Sequence, residues 1–243
     1  MTLCEYCYQI EKFLQDYLKQ SGAKCYILGL SGGVDSSLVA AITRRAVGRD
    51  KLFCYTLPIH SDSKDESDAF KLAKMLDVNI KKVDLSSTYE SYLKEIDGDN
   101  FSRLTKGNLK VRMRMCALYA FAQDKNGLVL GTDNYDENYV GYFTKYGDGA
   151  CDLLPIVSLT KKEVREAAKL YGVSDELAHR TPTAGLYKGQ TDEKEMGISY
   201  DELDAFLLGK DVSKEAKERI EKLHKASDHK RNDIPRPSAF KRD

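Results

Sequence analysis

Residues 24 to 38 read KCYILGLSGGVDSSL, and this stretch decides how the chain folds. The apolar run from Cys25 to Leu30 predicts a buried strand, and the segment from Ser36 to Val47, closed by Gly48, predicts a helix. Glycines and serines between the two make a tight turn possible. A strand that turns directly into a helix is typical of an α/β protein whose ligand binds at that turn.

Strands and helices alternate along most of the remaining chain. Short apolar runs predict further strands at 52–59, 79–85 and 127–132. Apolar residues at helical spacing predict helices at 6–18, 65–78, 108–124, 161–172, 200–208 and 214–226, and another in the stripe from Tyr89 to Ile96. This alternation predicts an α/β fold with a doubly wound parallel sheet that helices cover on both faces. We expect one domain over residues 1–243.

Two stretches do not fit the alternation. Residues 174–198 contain few periodic apolar positions, and so long a segment in a compact domain is often a functional lid. We therefore predict a lid there. The basic stretch from His229 to Phe240 is predicted to be irregular.

The overall composition excludes several classes of protein. Lys and Arg total 38 and Asp and Glu total 38, so the net charge is zero and does not favour a nucleic-acid binder. No apolar run approaches the about 20 residues of a membrane helix, and the N-terminus has no signal-peptide core. We expect a cytoplasmic protein without membrane contact. Cys4 and Cys7 form a C-x-x-C without a second pair, which predicts free thiols rather than a zinc site.

The turn itself fits two different chemistries. Residues 29–33 satisfy G-x-S-x-G, a pattern that can carry a nucleophilic serine at Ser31. A serine hydrolase also needs a later histidine, and none of His60, His179, His224 and His229 stands in a glycine-flanked late loop. No His-Gly-Gly run is present to supply an oxyanion donor. These gaps count against a hydrolase.

A phosphate-binding turn uses more of the same residues. Gly32 and Gly33 let backbone N–H groups approach an anion, and the following helix presents its positive end to the same point. Asp35 makes sense there if a divalent cation lies between its carboxylate and the phosphates. The stretch is neither a Walker A loop nor a G-x-G-x-x-G fingerprint. A plain tight turn with incidental serines remains open at this point.

Residues 31–36, SGGVDS, resemble the SGGxDS loop of the PP-loop (N-type) ATP pyrophosphatases. Members of that superfamily cleave ATP between its α and β phosphates, so that an acceptor is adenylylated. They include NAD, GMP and asparagine synthetases and tRNA-modifying enzymes. The loop alone does not choose among them.

Four further stretches together resemble the NAD synthetases. Residues 106–115, KGNLKVRMRM, resemble the GN-x-x-A-R-x-R-M helix of that family. Residues 131–148 resemble its GTxNxxExxxGxxTKxGD block, residues 182–193 its PSAxLxxGQxDE loop, and residues 229–231 its C-terminal HKR. The resemblance extends over residues 29–236. Val111 and Thr183 depart from it, standing where the family has alanine and serine, and Thr183 keeps the hydroxyl.

The resemblance implies a fold and a reaction. The fold would be adenine nucleotide alpha hydrolase-like, and the reaction would join ammonia to the nicotinate carboxylate of deamido-NAD at the expense of ATP. The chain has no counterpart of the large glutaminase domain of the glutamine-dependent members, which implies that free ammonia is the nitrogen donor. The family also implies a homodimer with deamido-NAD at the subunit interface.

The same resemblance implies a role for individual residues. ATP would be bound by Gly29, Leu30, Ser31, Gly32, Gly33, Val34, Asp35, Ser36, Thr132, Lys161 and Thr183. Deamido-NAD would be bound by Arg112, Lys145, Asp152, His229 and Lys230. Mg²⁺ would be held by Asp35 and Glu137. The catalytic residues would be Asp148, which holds ammonium and helps to deprotonate it, and Lys161, which contacts the phosphates.

Without the resemblance, several of these residues have plainer interpretations. Glu137 could be a solvated loop acid, Arg112 part of a charged helix face, and His229 with Lys230 a frayed tail. Lys161 could be a surface lysine in the first turn of a helix, although the helix dipole disfavours a cation there. Two other functions also stay open: another PP-loop enzyme that adenylylates tRNA or a different carboxylate, and a nucleotide-binding module without catalysis.

Overall fold

A parallel sheet forms the centre of the protein. The computed structural model describes residues 1–61, 63–180, 182–183, 185 and 189–242, residue 63 by its backbone alone. In this part of the chain, four parallel strands pair in the order β3-β2-β1-β4. The strands are β1 (Cys25–Gly29), β2 (Leu52–Thr56), β3 (Asn79–Lys82) and β4 (Gly127–Leu130). All four predicted strands are confirmed, and β1 lies between β2 and β4.

Each strand ends one to three residues before its predicted end. Pro58 explains the end of β2, since proline has no N–H to donate to a ladder. Extended pairing nevertheless continues past the regular strands: Val83 N donates to Thr56 O at 3.0 Å, and Leu85 N donates to Pro58 O at 3.0 Å. The predicted runs are therefore extended to about their expected length, but without a complete ladder.

Helices connect the strands and extend beyond them. They are α1 (Leu3–Ser21), α2 (Val34–Val47), α3 (Ser63–Leu76), α4 (Ser86–Glu95), α5 (Arg103–Lys125), α6 (Tyr135–Val140), α7 (Lys161–Leu170), α8 (Asp175–Ala178), α9 (Asp192–Met196), α10 (Tyr200–Leu207), α11 (Lys214–Ala226) and α12 (Asp228–Arg231). Helix α5 begins earlier than predicted, because the Ser102 hydroxyl caps it by accepting from Thr105 N. Helix α2 also begins earlier, at Val34.

Apolar side chains alternate between the two faces of the sheet, as the period of a strand requires. On one face, Tyr26 and Leu28 pack into a core that includes buried residues of α1, α2 and α7. On the other face, Cys25, Ile27 and Val129 pack against α5. Helices therefore cover both faces, which confirms the predicted doubly wound α/β fold.

The C-terminal helices form a separate apolar cluster. Buried residues of α6, α9, α10 and α11 pack together there, among them Val140, Leu203 and Ile220. The predicted lid, residues 174–198, contains the short helices α8 and α9, whereas Thr181 and Ala184 of its motif lie outside the described residues. Residues 229–231, predicted to be irregular, belong to α12 instead. That the whole chain is one domain stays a prediction.

The strand order creates a crevice at one end of the sheet. From β1 the chain proceeds outward to β2 and β3, and then returns to the other side of β1 as β4. The order reverses between β1 and β4, which is where open α/β sheets bind ligands.

All six cysteines are free, as predicted. Across the described residues, the structure has no helix with the length and apolarity needed to cross a membrane.

Candidate active site

The turn after β1 is held by its own hydrogen bonds. Gly33 N donates to Ser31 Oγ at 3.2 Å, and Ser36 Oγ donates to Gly33 O at 3.1 Å. Gly32 has φ of 79°, and a Cβ at this position would stand 2.7 Å from Asp65 O of α3. Both its conformation and its close contact with α3 therefore require glycine here. The turn brings the N-terminus of α2, at Val34, to the crevice.

The four histidines have partners away from Ser31. His60 contacts Glu90, His179 contacts Asp175, and His224 contacts the carbonyl of Tyr139. His229 contacts Lys145. Because no histidine in the described part of the chain contacts Ser31, the arrangement that a serine hydrolase needs is not formed.

Three predicted site residues meet beside the turn and form what we call the ion-pair cluster: Asp35, Glu137 and Lys161. Lys161 Nζ donates to Asp35 Oδ2 at 2.6 Å and to Glu137 Oε1 at 3.0 Å. The amide of Asn134 donates to Asp35 Oδ1 at 2.8 Å, while its oxygen accepts from Glu137 N at 3.0 Å. Asn134 thus links the loop after β4 to α2 at the switch point.

Lys161 is positioned by the start of α7. The Thr160 hydroxyl and the Glu163 side chain form a capping box around it. Lys161 N donates to the buried carboxylate of Asp136 at 2.7 Å. Its side chain is only 2% exposed. The surface-lysine interpretation is therefore wrong, because the ammonium group is buried between two carboxylates.

Burial and pairing set the protonation of the cluster. Burial alone would lower the pKa of Lys161, but the carboxylates of Asp35 and Glu137 outweigh it and raise this pKa above the usual value. Lys161 therefore stays charged. Burial raises the pKa of Glu137 to about 7, although Lys161 opposes the shift. Tyr200 also donates its hydroxyl to Glu137 Oε1 at 2.8 Å.

A cavity of about 560 Å³ opens in front of the cluster. Its size is in the range of small-molecule sites. The wall includes these predicted residues: Gly29, Leu30, Ser31, Gly33, Val34, Asp35, Ser36, Arg112, Thr132, Glu137, Lys145, Asp148, Lys161, Thr183, His229 and Lys230. Two predicted residues are not part of it. Gly32 faces α3, and Asp152 accepts from Val129 N at 2.7 Å, behind the end of β4.

The far wall of the cavity brings together Lys145, Asp148 and the C-terminal residues. Lys145 Nζ donates to the carbonyl of His229. Lys230 Nζ donates to Gly141 O at 2.7 Å and to Phe143 O at 2.6 Å. Helix α12 is therefore docked on the loop that carries Lys145, and the interpretation of His229 and Lys230 as a frayed tail is wrong.

Asp148 is a half-buried acid whose carboxylate is held by the backbone. Oδ1 accepts from Thr144 N at 2.7 Å. Burial raises its pKa, while the N–H groups of Thr144, Asp148 and Gly149 act in the opposite direction. The geometry therefore fixes this carboxylate at the cavity wall.

Sequence reasoning missed several residues of the same cavity. Arg114 donates from Nε to Leu57 O at 2.9 Å and from Nη2 to Ser61 Oγ at 3.2 Å. Arg180 pairs with Asp65 and contacts Gly32 O at 3.4 Å. Asp133, on the loop after β4, is also on the wall. Arg114 lies in the stretch 106–115 and Asp133 in the stretch 131–148. Both stretches resemble the NAD synthetases, and that resemblance is the signal that could have revealed these two residues.

Comparison with known proteins assigns the chain to a family. The family model described as NAD synthase matches residues 6–234. The chain belongs to the NAD synthase family. This confirms the family predicted from the sequence, and it disfavours a tRNA-modifying PP-loop enzyme.

Individual relatives agree with the family model. An NH3-dependent NAD⁺ synthetase from Mesoplasma florum is 41% identical over the full length of both chains. The solved NMN synthetase from Francisella tularensis is 39% identical, with a TM-score of 0.94 over 98% of this chain and 100% of that one. The NH3-dependent NAD synthetase from Campylobacter jejuni, solved with a nitrate ion, is 28% identical, with a TM-score of 0.81 over 98% of this chain and 100% of that one.

Proposed function

We propose that this NAD synthase family member amidates deamido-NAD with ammonia at the expense of ATP, giving NAD, AMP and pyrophosphate. The observation that carries the proposal is the cavity at the switch point, where the turn after β1, the ion-pair cluster and Asp148 line one space. The name of the Mesoplasma florum relative, NH3-dependent NAD⁺ synthetase, supports it. The reaction makes the chain a ligase that forms a C–N bond.

The chemistry explains why ATP is needed. A carboxylate is a poor electrophile, because its negative charge repels nucleophiles. Adenylylation removes that charge and supplies AMP as a leaving group. In this proposal residues 29–36, Thr132, Lys161 and Thr183 bind ATP. Lys161 contacts the phosphates and offsets the charge that develops on the departing pyrophosphate.

Asp35 and Glu137 would hold Mg²⁺ together with the phosphates. Both are carboxylates, the ligands that this hard cation prefers, and both contact the same Nζ atom. No group of three or more His, Cys, Asp or Glu among the described residues could hold a metal. Mg²⁺ is usually bound by one or two carboxylates together with substrate phosphates. When bound, the ion would offset charge on the leaving pyrophosphate.

The far wall would bind the second substrate. Arg112, Lys145 and Lys230 supply the cations that a dinucleotide with two phosphates needs, and His229 and Asp152 are proposed to contact it as well. Asp148 would hold the ammonium ion. We propose free ammonia as the donor, in a single-domain cytoplasmic enzyme.

The enzyme is proposed to work as a homodimer with deamido-NAD at the subunit interface. Exposed aromatic residues of α1, namely Tyr8, Phe13 and Tyr17, offer an apolar surface for such contacts. A monomer measured at micromolar concentration by light scattering would contradict the dimer without affecting the proposed reaction.

A second substrate has specific support. The Francisella tularensis structure, with its TM-score of 0.94, is named an NMN synthetase. The corresponding reaction would amidate nicotinate mononucleotide, whose reacting carboxylate is the same and which lacks the adenylate half of deamido-NAD. The chemistry around Asp148 and Lys161 serves both substrates equally.

One assay tests both candidates. The protein is incubated with ATP, Mg²⁺ and ammonium, with either deamido-NAD or nicotinate mononucleotide, and AMP, pyrophosphate and the amide product are measured. We expect AMP and NAD with deamido-NAD; a higher kcat/KM with the mononucleotide would favour the second candidate. Formation of ADP, or no consumption of ATP with either substrate, would overturn the proposed function. Glutamine in place of ammonium identifies the nitrogen donor.

A further inference from the structure

Asp133 is a buried acid on the cavity wall, and one of its two carboxylate oxygens accepts no hydrogen bond from the described part of the chain. It follows β4 and is only 5% exposed. Within the described residues, nothing donates a hydrogen bond to its Oδ2 atom. Buried polar atoms in native proteins are nearly always paired, because an unpaired one costs free energy. An exception on the wall of a substrate cavity points to a ligand that supplies the missing donor.

The surroundings of Asp133 differ from those of Asp148. The charged or titratable groups that act on it are those of Asp35 on α2, Glu137 on α6, Asp148, Cys151 and Lys230 on α12. Burial raises the pKa of Asp148 as well, but the backbone N–H groups that hold its carboxylate favour the ionised form and offset part of that shift. For Asp133 burial is the largest influence, and the neighbouring carboxylates add to it, so that its pKa lies well above the usual value. Lys230 acts in the opposite direction but does not outweigh them.

We propose that Asp133 is the group that takes the proton from the ammonium ion, while Asp148 holds that ion beside it. The inference rests on the proposed function, since it concerns the same cavity and the same nitrogen donor. It assigns two different roles to two acids: a carboxylate held by backbone N–H groups binds the cation, and one with an unpaired oxygen accepts the proton.

The proton transfer balances as follows. An N–H bond of ammonium breaks, its proton forms an O–H bond with Asp133, and the electron pair stays on nitrogen. The free ammonia attacks the acyl carbon of the nicotinoyl adenylate. The bond from that carbon to the AMP oxygen then breaks, AMP leaves with the electron pair, and a second proton passes from nitrogen to the AMP phosphate. The products are the amide and AMP.

The raised pKa of Asp133 makes its carboxylate a stronger base than an ordinary aspartate. An ordinary carboxylate is a far weaker base than ammonia, so the shared proton would remain on nitrogen. Each unit by which the pKa of Asp133 rises shifts that distribution tenfold towards free ammonia.

Asp133→Asn tests the inference, because it keeps the size of the side chain and removes the acceptor of the proton. The wild-type enzyme must first form the amide, since its failure to do so refutes the proposed function rather than this inference. The variant is then compared with Asp148→Asn and with Asp124→Asn, an exposed change on α5. The measurements are ATP–pyrophosphate exchange with the nicotinate substrate, amide formation with ammonium, and trapping of the acyl adenylate by hydroxylamine, which is largely uncharged at neutral pH.

We expect Asp133→Asn to keep ATP–pyrophosphate exchange and to lose about 100-fold in ammonium-dependent turnover at pH 7.5. The loss should shrink as the pH rises, because free ammonia becomes available from solution. Hydroxylamine should react at the wild-type rate, because it needs no deprotonation. Asp148→Asn should instead raise KM for ammonium. Unchanged ammonium-dependent turnover in Asp133→Asn would overturn the inference, and so would a loss shared equally by exchange, hydroxylamine trapping and thermal stability.

Discussion

The ion-pair cluster and Asp133 line the same cavity, yet their buried charges are treated in opposite ways. Asp35 and Glu137 share the ammonium group of Lys161, and Asn134 and Tyr200 donate further hydrogen bonds to them. Asp133 has a carboxylate oxygen to which no described residue donates. Paired charged groups fix the positions of their side chains, whereas a carboxylate oxygen without a donor can still accept a proton. The difference matches the roles proposed for these residues, ATP binding for the cluster and proton transfer for Asp133.

Lys161→Met should have the largest effect, because it leaves the carboxylates of Asp35 and Glu137 without the cation that pairs with them. Removing one partner of a buried ion pair should cost about 3 to 5 kcal/mol of the free energy of unfolding. Loss of the cation should also lower the rate of adenylylation by about 100- to 1000-fold. Both are measured by denaturant unfolding and ATP–pyrophosphate exchange.

The neighbouring Lys162, whose side chain is exposed, provides a matched control. Lys162→Met should leave both measurements unchanged. Mg²⁺ should stabilise Lys161→Met more than the wild-type protein, because a bound cation would compensate the two unpaired carboxylates. Equal stabilisation of the two proteins by Mg²⁺ would count against Asp35 and Glu137 as its ligands.

A smaller effect is expected when the turn is changed instead of the charges. Gly32→Ala forces a positive φ on alanine and places its Cβ 2.7 Å from Asp65 O. The conformation alone should cost about 1 to 2 kcal/mol, and the collision should displace the turn and raise KM for ATP by about tenfold or more. Gly22→Ala is the control, because Gly22 has a similar φ of 72° with nothing within 4 Å of its Cβ position. Equal losses of stability and unchanged KM in both variants would show that contact with α3 is unimportant.

Asp136, whose carboxylate accepts from Lys161 N, should make the stability of the protein depend on pH. Burial and the neighbouring Asp204 raise the pKa of Asp136 to about 9. Between the ordinary pKa of an aspartate and about 9, the native state holds a proton that the unfolded chain has released. The free energy of unfolding should therefore fall as the pH rises through this range, by up to about 1.4 kcal/mol per pH unit for this one group.

Asp136→Asn should make that fall shallower, because the amide does not titrate but its oxygen can still accept from Lys161 N. Denaturant unfolding at pH 5, 7 and 9 measures the slope, with Asp124→Asn as the control at an exposed position. An identical slope in wild type and variant would show that Asp136 does not hold the extra proton.

Local patterns predicted the strands, most helices and the turn, because these depend on the period of apolar residues and on glycine chemistry. The motif resemblance predicted Asp35, Glu137 and Lys161, and the structure brings these three together. It did not reveal that Lys161 lies between the two acids, since that contact joins α2, α6 and α7 in space. Asp133 was not predicted for a similar reason. That no described residue donates a hydrogen bond to its Oδ2 atom depends on the positions of donors in space, and residue spacing along the chain does not indicate these positions.

The residues of the ion-pair cluster are far apart along the chain, and this affects the order in which the parts of the protein fold. Lys161 and Asp35 are separated by 126 positions, and Asn134 and Asp35 by 99. Contacts between such distant residues form late, because a long loop must close first. During synthesis, the turn after β1 is therefore made long before Asn134 and Lys161, which contact its aspartate. An unfinished chain that ends before α7 contains the signature SGGVDS but not the cation that its aspartate pairs with.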